Sequence, residues 1–319
     1  MKKIVILDGK TLGNVDYDKL NEFGDVIYYD KTNKDEVADR IKDAHIVLTN
    51  KVVLEKAVLE QADNLELICE MATGYNNIDI KTAAEKNIEV TNVAGYSTVT
   101  VAQHTFAMLL SLYNKISFYD EYVKSGKYSD SGMFTNVEET YHDIEGKVWG
   151  IIGLGNIGRR TAKIAESFGA KVIYYSTSGN HIDEYYKKVD FEELIEKSDI
   201  ISIHAPLNER TNNLINYNVL MKMKKDAVII NVGRGPIVNN EDLAKALDED
   251  IIGGAALDVF DAEPVDKNNP IMSVKNKNKL ILTPHIAWAS EEARNRLFND
   301  LIENIRAYNK GELRNRVEK

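Results

Sequence analysis

Three segments in the second half of the chain carry, in order, an arginine, acids and a histidine: INVGRGPIVNNEDL with Arg234, ALDVFDAEP with Asp258 and Glu263, and LTPHIAWAS with His285. Each of these residues follows a run that reads as a strand, and strand C-termini are where open α/β sheets place their sites. A guanidinium forks onto a planar carboxylate and polarises the adjoining ketone. An imidazole delivers a proton to a developing alkoxide near neutral pH. Glu263, hydrogen-bonded to that ring, would orient it, fix its tautomer and stabilise the imidazolium. Together these groups suit the reduction of a 2-keto acid, provided a hydride is held against the carbonyl carbon. Taken singly, each has a plain structural reading: Arg234 as a turn residue between glycines, Glu263 as a loop acid before Pro264, and His285 as a strand-end histidine bonded to backbone.

The hydride source is indicated by GLGNIG, Gly153 to Gly158, which follows the apolar run WGII and opens the helical pattern IGRRTAKIAESFG. Gly153 permits a tight strand-to-helix turn, Gly155 leaves room for a pyrophosphate, and Gly158 lets helix and strand approach. Leu154, Asn156 and Ile157 complete the turn, and the helix N-terminus offers unpaired N–H groups to the anion. A bare G-x-G-x-x-G is a weak signal; here strand, glycines, helix and second strand come in order. The second strand, KVIYYS, ends at Ser176, where an acid would hold the ribose 2′-hydroxyl of NAD. Thr177, Ser178 and Gly179 follow without a local cation, so NAD is the expected cofactor, with NADP left open should Arg159 or a distant lysine reach a 2′-phosphate.

These groups must be held by sheets. KIVILD, DVIYYD, HIVLTN, LELICEMA and IEVTNV alternate with charged segments such as Asn33 to Asp43, the pattern of βαβ units with strands buried on both faces. A second series comprises KVWGII, KVIYYS, DIISIHA, AVIINVG, GGAALDVF and KLILTPHI. Between them, Thr98 to Tyr122 contains no Gly or Pro and places Val101, Thr105, Met108 and Leu112 at helical spacing, which predicts one long helix joining two domains. A polar excursion runs to Gly146, and the tail from Glu291 to Arg314 reads as a helix returning to the first sheet. The expected fold is α/β with two doubly wound parallel-sheet domains. A discontinuous, flavodoxin-like substrate domain takes residues 1–97 plus 289–319, and an inserted Rossmann dinucleotide-binding domain takes 98–288.

With 319 residues, 44% hydrophobic, the chain is long enough for two cores. Fifty acidic against 40 basic residues give a net charge of -10, which disfavours nucleic acid and anionic lipid as partners. The single cysteine, Cys69, excludes an internal disulfide, and the apolar start Ile4 to Leu7 is too short for a signal or a span. A cytoplasmic protein acting on a small metabolite is expected. No Cys, His and carboxylate cluster has ligand spacing, so the expected mechanism uses no metal. His104 and His204 read as structural, and His45, His142 and His181 have no partner motif.

Over nearly its whole length the sequence resembles the D-isomer-specific 2-hydroxyacid dehydrogenase family, through the glycine turn, the Arg234 segment, DVFDAEP and TPHIAWA in the family's order and spacing. That resemblance implies two α/β domains with the active site in the cleft between them, and Arg234, Glu263 and His285 in the catalytic places. It puts Asp258 near the nicotinamide carboxamide, and Val232, Gly233, Arg234 and His285 along the cofactor. HAPLNERT resembles the loop that passes the cofactor, implying contacts from Ala205, Pro206 and Thr211. ATGYNNID resembles the substrate-carboxylate loop, with Ala72, Thr73 and Gly74 binding through backbone N–H groups as a nest, beside Arg234 and His285. STVTVAQHT resembles the start of the interdomain helix, with Gln103 in place of a common acid. Trp288 resembles the glycerate dehydrogenase/hydroxypyruvate reductase branch and also the corepressor branch. By the same resemblance, YYSTSG and the expected lack of a C-terminal regulatory domain lean towards hydroxypyruvate or glyoxylate. A D-lactate-type enzyme, a phosphoglycerate dehydrogenase and a non-catalytic NAD(H)-sensing protein are the alternatives. Residues Tyr122 to Gly146 resemble the segment that embraces a second subunit, implying a homodimer.

Overall fold

In a computed structural model, described for residues 1–179 and 182–317, the chain forms two compact units, Met1–Ser97 with Ala289–Lys319, and Thr98–Trp288. His181 lies outside the described residues.

The first unit is built on five parallel strands: β1 (Lys2–Ile6), β2 (Gly24–Tyr28), β3 (Ile46–Thr49), β4 (Leu67–Glu70) and β5 (Glu89–Thr91), in the order β2-β1-β3-β4-β5. This is the flavodoxin-like order, with its switch point between β1 and β3. Every residue of β3 and β4 is buried, as strands covered on both faces must be. One face carries Val5, Val47, Ile68 and Val90 with Ile41, Leu54 and Leu59. The C-terminal helix, Glu291–Asn309, starts at Ser290, whose hydroxyl accepts from Ala293 N–H at 3.2 Å. Arg296 donates to Tyr96 O at 2.9 Å and the buried Asn304 to Asn92 O at 3.0 Å, which fixes that helix to this unit.

The second unit has seven parallel strands: β6 (Val148–Ile152), β7 (Lys171–Tyr175), β8 (Lys187–Lys188), β9 (Ile200–Ile203), β10 (Val228–Asn231), β11 (Gly254–Leu257) and β12 (Leu280–Leu282). Their order, β12-β11-β10-β9-β6-β7-β8, is the Rossmann arrangement extended by one strand, with the switch point between β6 and β9. Alternate residues feed two cores. Ile201, Ile229, Ala255 and Leu257 face one, and Trp149, Ile151, Ile200, Val228 and Ile230 face the other.

Two expectations need correction. The edge strand β8 was not foreseen, because Lys187 and Lys188 are exposed and carry no apolar run. The single helix from Thr98 to Tyr122 is instead two, Thr98–Tyr113 and Ile116–Lys124, broken at Lys115, whose backbone is left-handed (φ 53°). The first lays Phe106, Met108, Leu109 and Leu112 on the second unit's core. That apolar stripe ends at Tyr113, the next helix buries nothing, and Lys115 turns the chain away while its Nζ donates to Asn278 O at 3.1 Å. Among the described residues no helix is long and apolar enough to cross a membrane.

Candidate active site

The glycine turn lies where β6 leaves the sheet beside the switch point. Gly153 has φ +92°, and a Cβ on it would meet Ala205 N at 2.9 Å, so both backbone conformation and the passing β9 exit demand glycine. A Cβ on Gly158 would sit 2.3 Å from Gly153 O, because the helix Asn156–Ser167 approaches its strand that closely. Gly155 faces open space, with nothing within 4 Å of an added Cβ. It ends the approach to that helix with no side-chain cap, leaving first-turn N–H groups of Asn156 and Ile157 towards the opening. Leu154 is buried beneath. A Cβ on Gly233, after β10, would lie 3.0 Å from Ala205 O, so the exits of β6, β9 and β10 touch, with Val232 packed on the core below. An open concavity over a helix N-terminus, floored by backbone, fits a dinucleotide pyrophosphate.

Some residues assigned to the cofactor have other work. Thr211 is fully buried; its hydroxyl donates to Pro206 O at 2.7 Å and accepts from Asn208 N–H at 2.8 Å, so it staples the loop after β9 rather than facing a ligand. Arg159 pairs with the buried Asp183, which corrects its suggested reach to a 2′-phosphate. A cation does come near Ser176, from outside the local segment and not from Arg159 or a lysine alone: Arg210, from the HAPLNERT loop, lines the same cavity and donates to Ser178 O at 3.1 Å. Its only signal in the sequence was being the basic residue of that loop.

Three loops after β10, β11 and β12 carry the arginine, the acids and the histidine. His285 Nδ1 lies 2.6 Å from Glu263 Oε2, and Glu263 Oε1 accepts from Phe260 N–H at 3.1 Å, so the carboxylate is oriented from its own loop. The ring sits on a left-handed backbone (φ 54°), uncommon for a residue with a side chain. Asp258 holds it there. This carboxylate is fully buried and accepts from Thr283 Oγ1 at 2.6 Å, Ile286 N–H at 2.9 Å and Ala287 N–H at 2.9 Å, while its own backbone oxygen accepts from His285 N–H at 2.7 Å. Asp258 is therefore chiefly the clamp of the His285 loop, a task the sequence did not reveal. His104 joins it, with Nε2 3.1 Å from Thr283 Oγ1.

Arg234 is half-buried and its Nη1 donates to Gly233 O at 2.8 Å; it has no carboxylate partner among the described residues. Its loop is wedged against the acid loop, since a Cβ on Gly235 would overlap Phe260 O at 1.8 Å. The structure thus brings Arg234 beside the Glu263 segment and Glu263 onto His285. His204 offers no rival proton donor: burial pushes it down to about 3, and its Nε2 meets Ser202 Oγ at 3.0 Å. Half-buried Trp288 follows on the clamped segment. Among the described residues no group of three or more His, Cys, Asp or Glu is placed to hold a metal ion.

In the first unit, Ala72, Thr73 and Gly74 follow β4. Ala72 O accepts from Val93 N–H at 3.0 Å, Thr73 Oγ1 donates to Val93 O at 2.9 Å, and Asn92 Nδ2 donates to Thr73 O at 2.7 Å. The amides of Thr73 and Gly74 donate to no described residue, as an anion nest requires.

A Rossmann-order sheet with this turn, and at its strand ends a histidine–carboxylate pair and an arginine that has no carboxylate partner among the described residues, defines a nicotinamide-dependent oxidoreductase. Residues 106–287 match the model of the D-isomer specific 2-hydroxyacid dehydrogenase NAD binding domain. The chain is 37% identical over 99% of its length to the whole of a hydroxypyruvate reductase of Blautia hydrogenotrophica. It is 34% identical to a glycerate dehydrogenase of Methylorubrum extorquens, over 99% of both chains. Among solved structures, an acyclic imino acid reductase in complex with NADPH and D-Arg superposes with a TM-score of 0.87 at 32% identity, covering 99% of this chain and 100% of that one. This chain belongs to the D-isomer-specific 2-hydroxyacid dehydrogenase family.

Proposed function

We propose that the chain reduces a small 2-keto acid, hydroxypyruvate or glyoxylate, to its D-2-hydroxy acid. The observation that carries this reading is the 2.6 Å contact of His285 with Glu263 next to the loop of Arg234, which has no carboxylate partner among the described residues. A bound nicotinamide supplies the hydride. Arg234 holds the carboxylate and polarises the ketone, His285 gives its proton to the alkoxide and takes it back in the oxidative direction, and Glu263 stabilises the imidazolium through Nδ1. Asp258 positions the His285 loop. Gly153 to Gly158, Ala205 and Gly233 floor the cofactor site, and the nest at Thr73 and Gly74 suits the substrate carboxylate. Residues 1–97 and 289–319 act as the substrate domain and 98–288 as the dinucleotide domain. The names of the relatives, hydroxypyruvate reductase and glycerate dehydrogenase, favour the three-carbon substrate.

The test is loss of nicotinamide absorbance with hydroxypyruvate, glyoxylate and pyruvate, each with NADH and NADPH. Turnover fastest on hydroxypyruvate or glyoxylate is expected, with Arg234→Gln losing about a hundredfold in kcat/KM, the scale of a charge-assisted bidentate contact. Cofactor binding without oxidation by any of the three would refute the substrate assignment and promote a sensing role.

The protein is also read as a cytoplasmic homodimer. Cys69 is the single cysteine and is buried, so no internal disulfide braces the fold, which suits a reducing compartment. Exposed Met133, Phe134, Val137 and Tyr141 in the excursion before β6 offer an apolar surface for a second copy. Sedimentation velocity should give a dimer; a monomer at micromolar concentration would refute it.

A further inference from the structure

At the end of the second strand of a dinucleotide fold, one side chain discriminates between a ribose 2′-hydroxyl and a 2′-phosphate. Here that position is Ser176, buried to 5% exposure and uncharged, its hydroxyl 3.3 Å from that of Ser178. Ser176, Thr177, Gly179, Lys188 and Arg210 line an open cavity of about 500 Å³. Arg210 enters it from the loop after β9, its backbone N–H donating to Asn208 Oδ1 at 2.9 Å and its Nη1 to Ser178 O at 3.1 Å. Lys188 enters from β8, with Nζ donating to Gly179 O at 2.8 Å. Neither cation has a carboxylate partner among the described residues, so both are satisfied only by carbonyls and retain donors.

The acids on the same cavity are committed elsewhere. Asp190 Oδ1 accepts from Glu193 N–H at 2.7 Å, capping its helix, and Glu193 Oε1 holds Lys187 at 3.0 Å and Lys197 at 2.8 Å. A carboxylate that would repel a phosphate is therefore missing at Ser176, and two cations converge on the segment that follows it.

We propose that this cavity binds the 2′-phosphate of NADP(H), with Arg210 as the discriminating residue and Lys188 as a second charge. The proposal rests on the dinucleotide reading of the glycine turn and not on the choice of keto acid. A guanidinium meets a phosphate with two parallel N–H donors, and Ser176 and Thr177 can add hydroxyls from below.

Titration calorimetry with adenosine 2′,5′-bisphosphate and adenosine 5′-monophosphate isolates that one phosphate and involves no turnover. The wild type should bind the bisphosphate tighter by about tenfold or more, as a charge-assisted contact to phosphate predicts. That preference should shrink with added salt and fall to near unity in Arg210→Ala. Ser176→Asp, which installs the repelling charge without touching either cation, should invert it. Equal affinity of the wild type for both nucleotides, or a preference unchanged in Arg210→Ala, overturns the proposal. Failure of both nucleotides to bind overturns it together with the dinucleotide reading. A protein that prefers the bisphosphate yet reduces no keto acid keeps this inference and loses only the proposed substrate.

Discussion

Replacing His285 with asparagine is expected to lower kcat for keto-acid reduction by about a hundredfold to ten-thousandfold, the contribution of a positioned proton donor. Asparagine is the informative choice. His285 has a left-handed backbone, where asparagine is among the better tolerated residues, so the clamp by Asp258 persists while the proton donor is lost. Alanine removes the ring equally but adds the conformational penalty of that backbone, of order 1 kcal/mol or more. If the ring acts as a proton donor, both variants lose similar activity, and only alanine unfolds at lower denaturant. If His285 is merely a strand-end residue, asparagine retains wild-type kcat, and the proton-donor assignment falls. Steady-state reduction assays and urea unfolding on the same samples separate the two results.

The framework for this chemistry was legible because buried parallel strands advertise themselves. KIVILD, HIVLTN and DIISIHA are short β-branched runs whose apolar residues are buried in the structure. The glycine turn was legible for a related reason. Gly153 and Gly158 answer steric demands made by their own strand, helix and neighbouring exit, and those demands recur wherever a strand turns so tightly into a helix. Lys115 was not legible, since the chain breaks there because an apolar stripe runs out and not because a Gly or Pro stands in the way. Neither was the division of labour among polar residues. Asp258 accepts from three groups 25 to 29 residues further along, and Arg210 reaches a carbonyl 32 residues back. Arg159, next to the glycine turn in sequence, is taken by Asp183 instead. Residue type announces what a side chain can do; which partner claims it is settled by tertiary packing.

Glu70 follows the same rule, and it should dominate the pH dependence of stability. It ends β4 fully buried, with Oε2 accepting from Asn77 Nδ2 at 3.1 Å and Oε1 without a partner among the described residues. Burial, aided by the charge of nearby Asp8, pushes its carboxyl from 4.5 up to about 9. The native state therefore keeps a proton that the unfolded chain releases. Stability from this group is full below about 4.5 and declines as pH rises to about 9, by about 1.4 kcal/mol per pH unit between those limits. Asp8, raised by burial as well, acts in the same direction. Glu70→Gln has no proton to lose, keeps an acceptor for Asn77, and should flatten the profile, gaining on the wild type as pH increases. Urea unfolding at a series of pH values between 5 and 9 reads this directly. Parallel curves for the two proteins would mean that Glu70 is ionised in the native state, with a counter-charge or water reaching Oε1. The expected divergence would instead show why a carboxyl is tolerated here: it is a neutral acid at physiological pH, bonded to Asn77, which also donates to Val52 O at 3.1 Å and so ties the end of the Ala72–Gly74 loop to the sheet.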